Sequence, residues 1–234
     1  MEIKLTVRAE AIAVLKLFAA DKLFAADKDV RYYLNGINLE IGRKETRLVA
    51  TDGAMLGCFR VESEQPDVDA PLTNIIIPND LLKPIKPTGL VEITIGELET
   101  KDNGKGEEVP VSNARPVTLT YAGLSMSGKT LDGTFPDFRR VIPSKVSGQP
   151  AQFDPRFTGT LAKAWSILHG GKGPHCVGLG FNGNDGALIT LADENFVGVI
   201  MPMRPHAVTT PETPPSWAHD YSLQAVAEPA ADLV

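Results

Sequence analysis

Short apolar or alternating runs, rich in β-branched residues, recur along the first 204 residues of the chain. Gly, Asn or Pro bounds many of these runs, and such bounded runs are typical of β-strands. The pattern therefore predicts a protein built mainly from strands. The predicted strands cover 2–6, 31–41, 46–51, 56–61, 73–77, 90–95, 117–121, 124–127, 176–181, 187–191 and 196–201.

Helical periodicity is clearest over 155–169. Asp154 can cap the start of this segment, a proline suits its first turn, and two glycines follow its end. Arg156 and Lys163 fall on the face opposite the apolar stripe, because each residue turns a helix by about 100°. The stripe consists of Phe157, Leu161, Trp165 and Leu168.

Two further helices are predicted. The first covers about 8–28, where the sequence LFAADK occurs twice, at 17–22 and 23–28. Six residues turn a helix by about 600°, so both copies cannot extend one apolar stripe. We expect one copy in the helix and the other irregular or rotated outward. A shorter helix is predicted to start at Asn79 and is limited by Pro84.

The order of one strand, one helix and three strands is met about three times, over 1–62, 72–141 and 150–204. This order is typical of an α+β fold whose sheets carry helices on one face. Proline, glycine and serine over 143–150 indicate a linker. Residues 205–234 contain no Lys or Arg, four acids and five prolines, which predicts a disordered tail.

The composition excludes a collagen-like, a fully disordered or a disulfide-scaffold protein. The chain is 43% hydrophobic and 22% charged, as in ordinary soluble globular proteins. Its formal net charge is -6, so binding to nucleic acid would need basic residues gathered on one surface. Cys58 and Cys176 have no Cys/His cluster nearby, and no metal site is expected. The N-terminal segment carries Glu2 and Glu10, whereas a signal peptide starts with basic residues. The sequence also contains no apolar run long enough to span a membrane, so a cytoplasmic protein is predicted.

Residues 123–130 match the pattern G-x-x-x-x-G-K-[ST] of phosphate-binding loops. Such a loop needs a helix that starts near the lysine, but Gly133 and Pro136 follow at once. The preceding residues are typical of a hairpin with its bend at 122–123, so a nucleotide-hydrolysing enzyme is disfavoured. The four histidines lack carboxylates at ligand or catalytic spacing. Neither an enzyme nor a cofactor is therefore predicted.

Three further segments contain four motifs, and the order of the four motifs is more specific than any single motif. The motifs are RYYLNG at 31–36, VATDG at 49–53, FPDFRRVIP at 135–143 and MPMR at 201–204. In this order they resemble the β subunit of bacterial DNA polymerase III, the DNA sliding clamp family. The resemblance covers about 1–204.

The resemblance implies the DNA-clamp (processivity) fold. It implies a full clamp-like domain over 1–143, similar to the family's middle domain, and a shortened second clamp-like domain over 150–204, without the family's N-terminal domain. The implied function is that of a processivity factor of a DNA replication system, a homo-oligomer on duplex DNA without sequence preference. Its protein partners would be a DNA polymerase, a clamp loader or repair proteins. The alternative is a clamp-like interaction module that forms no ring and competes for clamp-binding proteins.

The resemblance also implies a peptide-binding groove between the middle and C-terminal domains. Methionine and proline at strand ends can line such an adaptable apolar groove, or can simply close the interface between two folded units. Ala54 and Met55 stand where the family usually has His-Arg. The matching positions are Leu34, Thr51, Gly53, Leu56, Pro136, Arg140, Val141, Val199, Met201, Pro202, Met203 and Arg204.

The family contacts DNA phosphates through Lys and Arg on helices that line the channel of the ring. Such contacts carry no sequence information, which suits sliding. Each candidate is equally explained as an ordinary solvated charge. The candidates are Lys16, Lys22, Lys83, Lys86, Arg156 and Lys163.

Overall fold

Strands dominate the part of the chain that the structure describes, and helices in this part are few. The computed structural model describes residues 2–19, 31–65, 71–105, 107–171 and 176–204. The strands in these ranges are β1 (Ile3–Arg8), β2 (Gly36–Ile41), β3 (Glu45–Thr51), β4 (Met55–Glu62), β5 (Leu72–Pro78), β6 (Leu90–Ile95), β7 (Thr100–Asp102), β8 (Glu108–Pro110), β9 (Pro116–Tyr121), β10 (Leu124–Lys129), β11 (Gly178–Gly180), β12 (Ala187–Thr190) and β13 (Phe196–Ile200). The helices are α1 (Ala9–Leu15), α2 (Asn79–Leu82) and α3 (Pro155–His169), and 3-10 turns cover Tyr32–Leu34 and Phe138–Arg140. The α+β prediction is confirmed.

The strands form two large antiparallel sheets and a separate hairpin. The first sheet has the order β1-β6-β9-β10, the second has the order β11-β12-β13-β4-β3-β2-β5, and β7 pairs with β8. β1 pairs with β6, and β5 pairs with β2. Each of the first two repeats therefore contributes its first strand to the sheet of the other.

β13 joins the last repeat to the first by pairing with β4, where Val199 lies opposite Leu56. The neighbouring residue in β4 is Gly57. A Cβ atom added there would lie 3.1 Å from side-chain atoms of Leu15 and Phe18. A glycine at this position thus lets the end of α1 pack closely against the sheet.

The two segments predicted as separate clamp-like domains share this sheet. Met1–Met203 cluster as one compact unit. β1 leads directly into α1, but no described strand leads directly into α3. In the segment before α3, the N–H of Gly148 instead donates to the carbonyl oxygen of Phe181 at 2.9 Å. The division into 1–143 and 150–204 stays a prediction, and the predicted tail, 205–234, lies outside the described residues.

Alternating burial separates two apolar clusters on the faces of the seven-stranded sheet. In β3, Leu48 and Ala50 belong to the larger cluster, whereas Val49 between them belongs to the smaller one. Successive side chains point to opposite faces of a strand, so the clusters lie on opposite faces. The larger cluster contains residues of both sheets and also Leu161 and Trp165 of α3, which packs against α1.

Local sequence signals are confirmed most closely in α3. A carboxylate oxygen of Asp154 accepts the N–H of Arg156 at 2.9 Å, and Gly170 ends the helix in the left-handed conformation with φ +70°. The hairpin predicted at 122–123 is also present. Ala122 and Gly123 both have positive φ between β9 and β10.

Other predictions need correction. The helix predicted over 8–28 ends at Leu15, because the next residues form turns that bury Phe18 in the larger cluster. The second LFAADK copy lies outside the described residues. The strand predicted over 31–41 starts only at Gly36, where an added Cβ would lie 2.4 Å from the carbonyl oxygen of Ile77. The hairpin of β7 and β8 was not predicted, because its residues are mostly polar and exposed.

Candidate functional site

An apolar groove opens where β3, β4 and β13 meet the 3-10 turn Phe138–Arg140. Its cavity volume is about 160 Å³. Most of the lining side chains are aliphatic or aromatic, so the groove is suited to apolar ligands. The lining residues are Leu34, Thr51, Gly53, Ala54, Met55, Leu56, Phe135, Pro136, Asp137, Phe138, Val141, Val199 and Met201.

The groove has a buried floor and an exposed rim. Leu56 and Val199 form a cross-strand pair and are buried, as is Phe138. Val141 and Met201 remain 45% and 40% exposed. The floor belongs to the smaller apolar cluster, whereas the rim side chains are available to cover a ligand.

A tight turn after β3 shapes one end of the groove. The N–H groups of Ala54 and Met55 donate to a carboxylate oxygen of Asp52 at 2.8 and 2.7 Å. The Thr51 hydroxyl donates to the carbonyl oxygen of Met55 at 2.6 Å and accepts the N–H of Gly53 at 3.0 Å. Gly53 has φ +92°, a conformation that favours glycine. The Thr-Asp-Gly sequence is therefore explained by this turn.

Long-range hydrogen bonds position the connector, residues 130–143 after β10, that supplies the opposite wall. The N–H of Phe135 donates to the side-chain oxygen of Asn74 at 2.9 Å, and the Tyr32 hydroxyl donates to the carbonyl oxygen of Asp132 at 2.5 Å. The carboxylate of Asp137 accepts the N–H of Arg139 and so caps the 3-10 turn. Phe135 and Phe138 consequently point into the smaller cluster.

The chain that leaves β13 is held beside the groove. The N–H of Met201 donates to the carbonyl oxygen of Ala54 at 2.8 Å, and the N–H of Met203 donates to that of Gln152 at 2.7 Å. The intervening Pro202 has no N–H to donate. These bonds place Met201 on the rim.

Arg139 and Arg140 differ although they are neighbours. Arg139 forms an ion pair with Glu40 and lies 4.6 Å from the centre of the Phe138 ring. The hydrogen bond to Glu40 raises the pKa of Arg139 above its usual value. Arg140 is exposed, and its side chain has no hydrogen-bond or ion-pair partner among the residues that the structure describes.

Eight of the predicted groove positions line one cavity, and four do not. Those in the lining are Leu34, Thr51, Gly53, Leu56, Pro136, Val141, Val199 and Met201. Those outside it are Arg140, Pro202, Met203 and Arg204. Phe135 and Phe138 also line the cavity and were not among the predicted positions, although the motif FPDF contains both. A binding role for any of these residues stays a prediction.

Three of the predicted DNA-binding lysines lie around the end of α2. The ammonium of Lys16 donates to the carbonyl oxygens of Leu82 and Ile85 at 3.0 and 3.3 Å. Partial burial, and then the charge of Lys86, lower the pKa of Lys16. Lys83 is exposed and forms an ion pair with Asp80 at 2.8 Å. Lys16 is thus partly occupied in holding α2.

The remaining described candidates lie on α3. Lys163 is exposed on this helix. Arg156 lies in the first turn of the helix and forms an ion pair with the capping residue Asp154. Hydrogen bonds from Arg156 lower the pKa of Asp154. Lys22 lies outside the described residues.

The other sequence motifs bring no reactive group together. The Lys129 that would contact a phosphate ends strand β10, and no described helix starts there. In the described ranges no three His, Cys, Asp or Glu side chains are grouped to hold a metal ion. Cys58 is buried and Cys176 is exposed, both as free thiols. None of the helices that the structure describes is long and apolar enough to cross a membrane.

The part of the chain that matches a known family carries the turn after β3 and the start of the connector. A family model described as "DNA polymerase III beta subunit, central domain" matches residues 11–137, more than half of the chain. The chain belongs to this family. It is 31% identical over 144 residues to the beta sliding clamp of Pseudomonas putida, covering 59% of this chain and 34% of the relative. Against the beta sliding clamp of Escherichia coli it is 32% identical over 128 residues, covering 55% and 31%. The chain thus spans about a third of the length of these curated relatives.

Solved structures of sliding clamps share the fold. A DNA polymerase sliding clamp from Pseudomonas aeruginosa aligns with a TM-score of 0.56 and 19% identity, covering 86% of this chain and 66% of that one. A second structure of the Pseudomonas aeruginosa clamp, bound to griselimycin, aligns with a TM-score of 0.54 and 19% identity, covering 86% and 65%. At this identity the likeness establishes the clamp fold, which confirms the expectation from the motifs.

Proposed function

We propose that this protein is a clamp-like processivity factor that captures short linear motifs of partner proteins in the apolar groove. The observation that carries the proposal is the groove itself. Residues from the turn after β3, the connector and the end of β13 line one cavity in a chain of the sliding clamp family. The protein acts by binding and needs neither a catalytic residue nor a cofactor.

The groove suits a peptide with two bulky apolar side chains and a glutamine. Leu56, Val199 and Phe138 offer a fixed apolar floor for one side chain. Met201 is unbranched and can adjust around the second. Thr51 and Asp137 supply polar groups at the edge that can receive a side-chain amide.

A binding measurement tests this role. A fluorescein-labelled pentapeptide, Gln-Ala-Ala-Leu-Phe, should bind with a saturable rise in anisotropy. The matched peptide Gln-Ala-Ala-Ala-Ala should bind much more weakly, because it offers nothing to the apolar floor. Equal binding of the two peptides would contradict the proposal.

DNA binding is proposed for four exposed basic residues, Lys83 and Lys86 after α2 and Arg156 and Lys163 on α3. Because Lys and Arg would contact phosphates only, affinity should not depend on sequence and should fall steeply with salt. Changing all four residues to Gln should weaken binding to every duplex and reduce the slope of log affinity against log salt. Base-specific binding, or an unchanged slope, would argue against this proposal.

A homo-oligomer is proposed as the state that encircles DNA. β10 and β11 are end strands of their sheets among the described residues, and unpaired strand edges favour association. Light scattering at tens of micromolar should find more than one chain per particle. A strict monomer that still binds the pentapeptide would favour the other candidate, a groove-bearing module that competes for clamp-binding proteins.

A further inference from the structure

A second cavity, of about 330 Å³, lies next to the apolar groove and has a different chemistry. Phe138 lines both cavities. The second cavity is lined by three arginines, Arg47 of β3, Arg60 of β4 and Arg139 of the 3-10 turn, and by one carboxylate, Glu194. We call this cavity the arginine pocket.

The two cavities follow each other along one face of the seven-stranded sheet. In β4 the residues Leu56, Cys58 and Arg60 share a face, because alternate side chains point the same way. Leu56 lines the groove, whereas Cys58 and Arg60 line the arginine pocket. In β13 the same passage runs from Val199 to Val197. Four residues of a strand span about 13 Å, so an extended peptide needs about four residues to pass from one cavity to the other.

Two of the three arginines repel each other and so destabilise the sheet. Arg47 and Arg60 are direct cross-strand partners in β3 and β4, and like charges in this position destabilise a sheet. Arg47 is bonded to Glu45, and Arg139 is paired with Glu40. The guanidinium of Arg60 is bonded to Asn195, a neutral amide.

Charge therefore identifies the ligand of the arginine pocket. Arg47 and Arg139 are each paired with a carboxylate that lies outside the lining. Arg60 is exposed and bonded only to a neutral amide among the described residues, so its charge is the one available to a ligand. Arginine forms strong, geometrically defined bonds with carboxylates. Phe138, Ile142 and Val197 form an apolar floor of the pocket, and this floor can contact the methylene groups of a bound acidic side chain.

We propose that the arginine pocket receives an Asp or Glu side chain of the peptide bound in the apolar groove, about four residues away from its apolar anchor. The inference rests on the proposed function, because the same peptide fills both cavities. The pocket would make this protein prefer partner motifs with an acidic flank.

Paired probes test the preference. Four labelled peptides each contain Gln-Ala-Ala-Leu-Phe. Two carry the flank Ser-Ser-Ser-Glu, which places Glu about four residues after Phe when the flank is C-terminal and about four residues before Leu when it is N-terminal. The other two carry an all-serine flank on the same sides. One acidic probe should bind about fivefold more tightly than its neutral partner at low salt, and the gain should shrink as salt rises.

Variants locate the contact. Arg60→Gln and Arg47→Gln should each reduce the acidic preference, and the double variant should abolish it, with unchanged binding of the neutral probes. Lys105→Gln removes an exposed charge from the turn between β7 and β8 and should leave the preference intact. Arg47→Gln should change the melting temperature little, since it relieves the repulsion with Arg60 but also removes the ion pair with Glu45.

The outcomes separate the two proposals. If the neutral and acidic probes bind equally well, the arginine pocket has no such role and the proposed function stands. If the preference persists in the Arg47→Gln/Arg60→Gln double variant, the acidic side chain binds elsewhere and the inference is wrong. If no probe binds the wild-type protein, the proposed function itself fails.

Discussion

Replacement of Met201 by aspartate is the sharpest test of the groove. Met201 lies on the rim, is 40% exposed, and is placed there by the bond from its own N–H to Ala54. Because that bond uses the backbone, the aspartate variant keeps it. The added carboxylate faces Val141 and the apolar floor, so the fold is retained while the binding surface changes.

The expected loss of affinity follows from two contributions. Full burial of a methionine side chain is worth about 1.5–3 kcal/mol, so covering the exposed 40% of Met201 contributes about 1 kcal/mol. Removing a carboxylate from water without a partner costs about 2 kcal/mol or more. The sum of about 3 kcal/mol corresponds to roughly 100-fold weaker binding.

Fluorescence anisotropy with the labelled pentapeptide measures this loss. Leu90→Asp is the matched control, because Leu90 is also an exposed apolar residue but lies in β6, inside the other sheet. Circular dichroism should show the same fold and melting temperature for both variants within a few degrees. Binding by Met201→Asp within about threefold of wild type would refute the argument that the groove binds the peptide, since desolvating the charge alone exceeds that change.

Three further predictions concern the fold. Phe196→Ala should lower the unfolding free energy by about 3–5 kcal/mol in one urea transition, because its buried ring contacts two other phenylalanines at the β13–β4 junction; two separate transitions would contradict the shared core. At pH 8 a thiol reagent should modify exposed Cys176 but not Cys58, whose thiol pKa burial raises to about 12; both should react in denaturant. Asp154→Ala should flatten the loss of melting temperature in acid. The lowered pKa of Asp154 means that its stabilisation is present above the ordinary carboxyl pKa and is lost as pH falls through the lowered value.

Local sequence determined those elements whose ends are set by neighbouring residues. α3 runs over the predicted range because Asp154 caps its start and Gly170 supplies the left-handed residue at its end. The turn between β9 and β10 falls where Gly123 adopts positive φ at no steric cost, beside Ala122 at φ +48°. In both cases the physical cause lies within a few residues of the element.

Motifs determined much of the groove but not all of it. The turn after β3 is closed by its own Asp52 and Thr51, so the sequence TDG was enough to place it. The connector depends on Asn74 and Tyr32, which lie far away in the chain. For this reason Phe135 and Phe138 were missed as lining residues.

Only the tertiary structure decided which edges pair and where α1 ends. Alternation in a strand specifies which side chains face the core, but it leaves the partner strand open. The pairing of β13 with β4 merges the last repeat with the first and aligns the groove and the arginine pocket on one face. Likewise, α1 ends at Leu15 because Phe18 packs into the shared core against Gly57. Gly57 is far away in the chain, so this contact could not be predicted from the residues next to the helix.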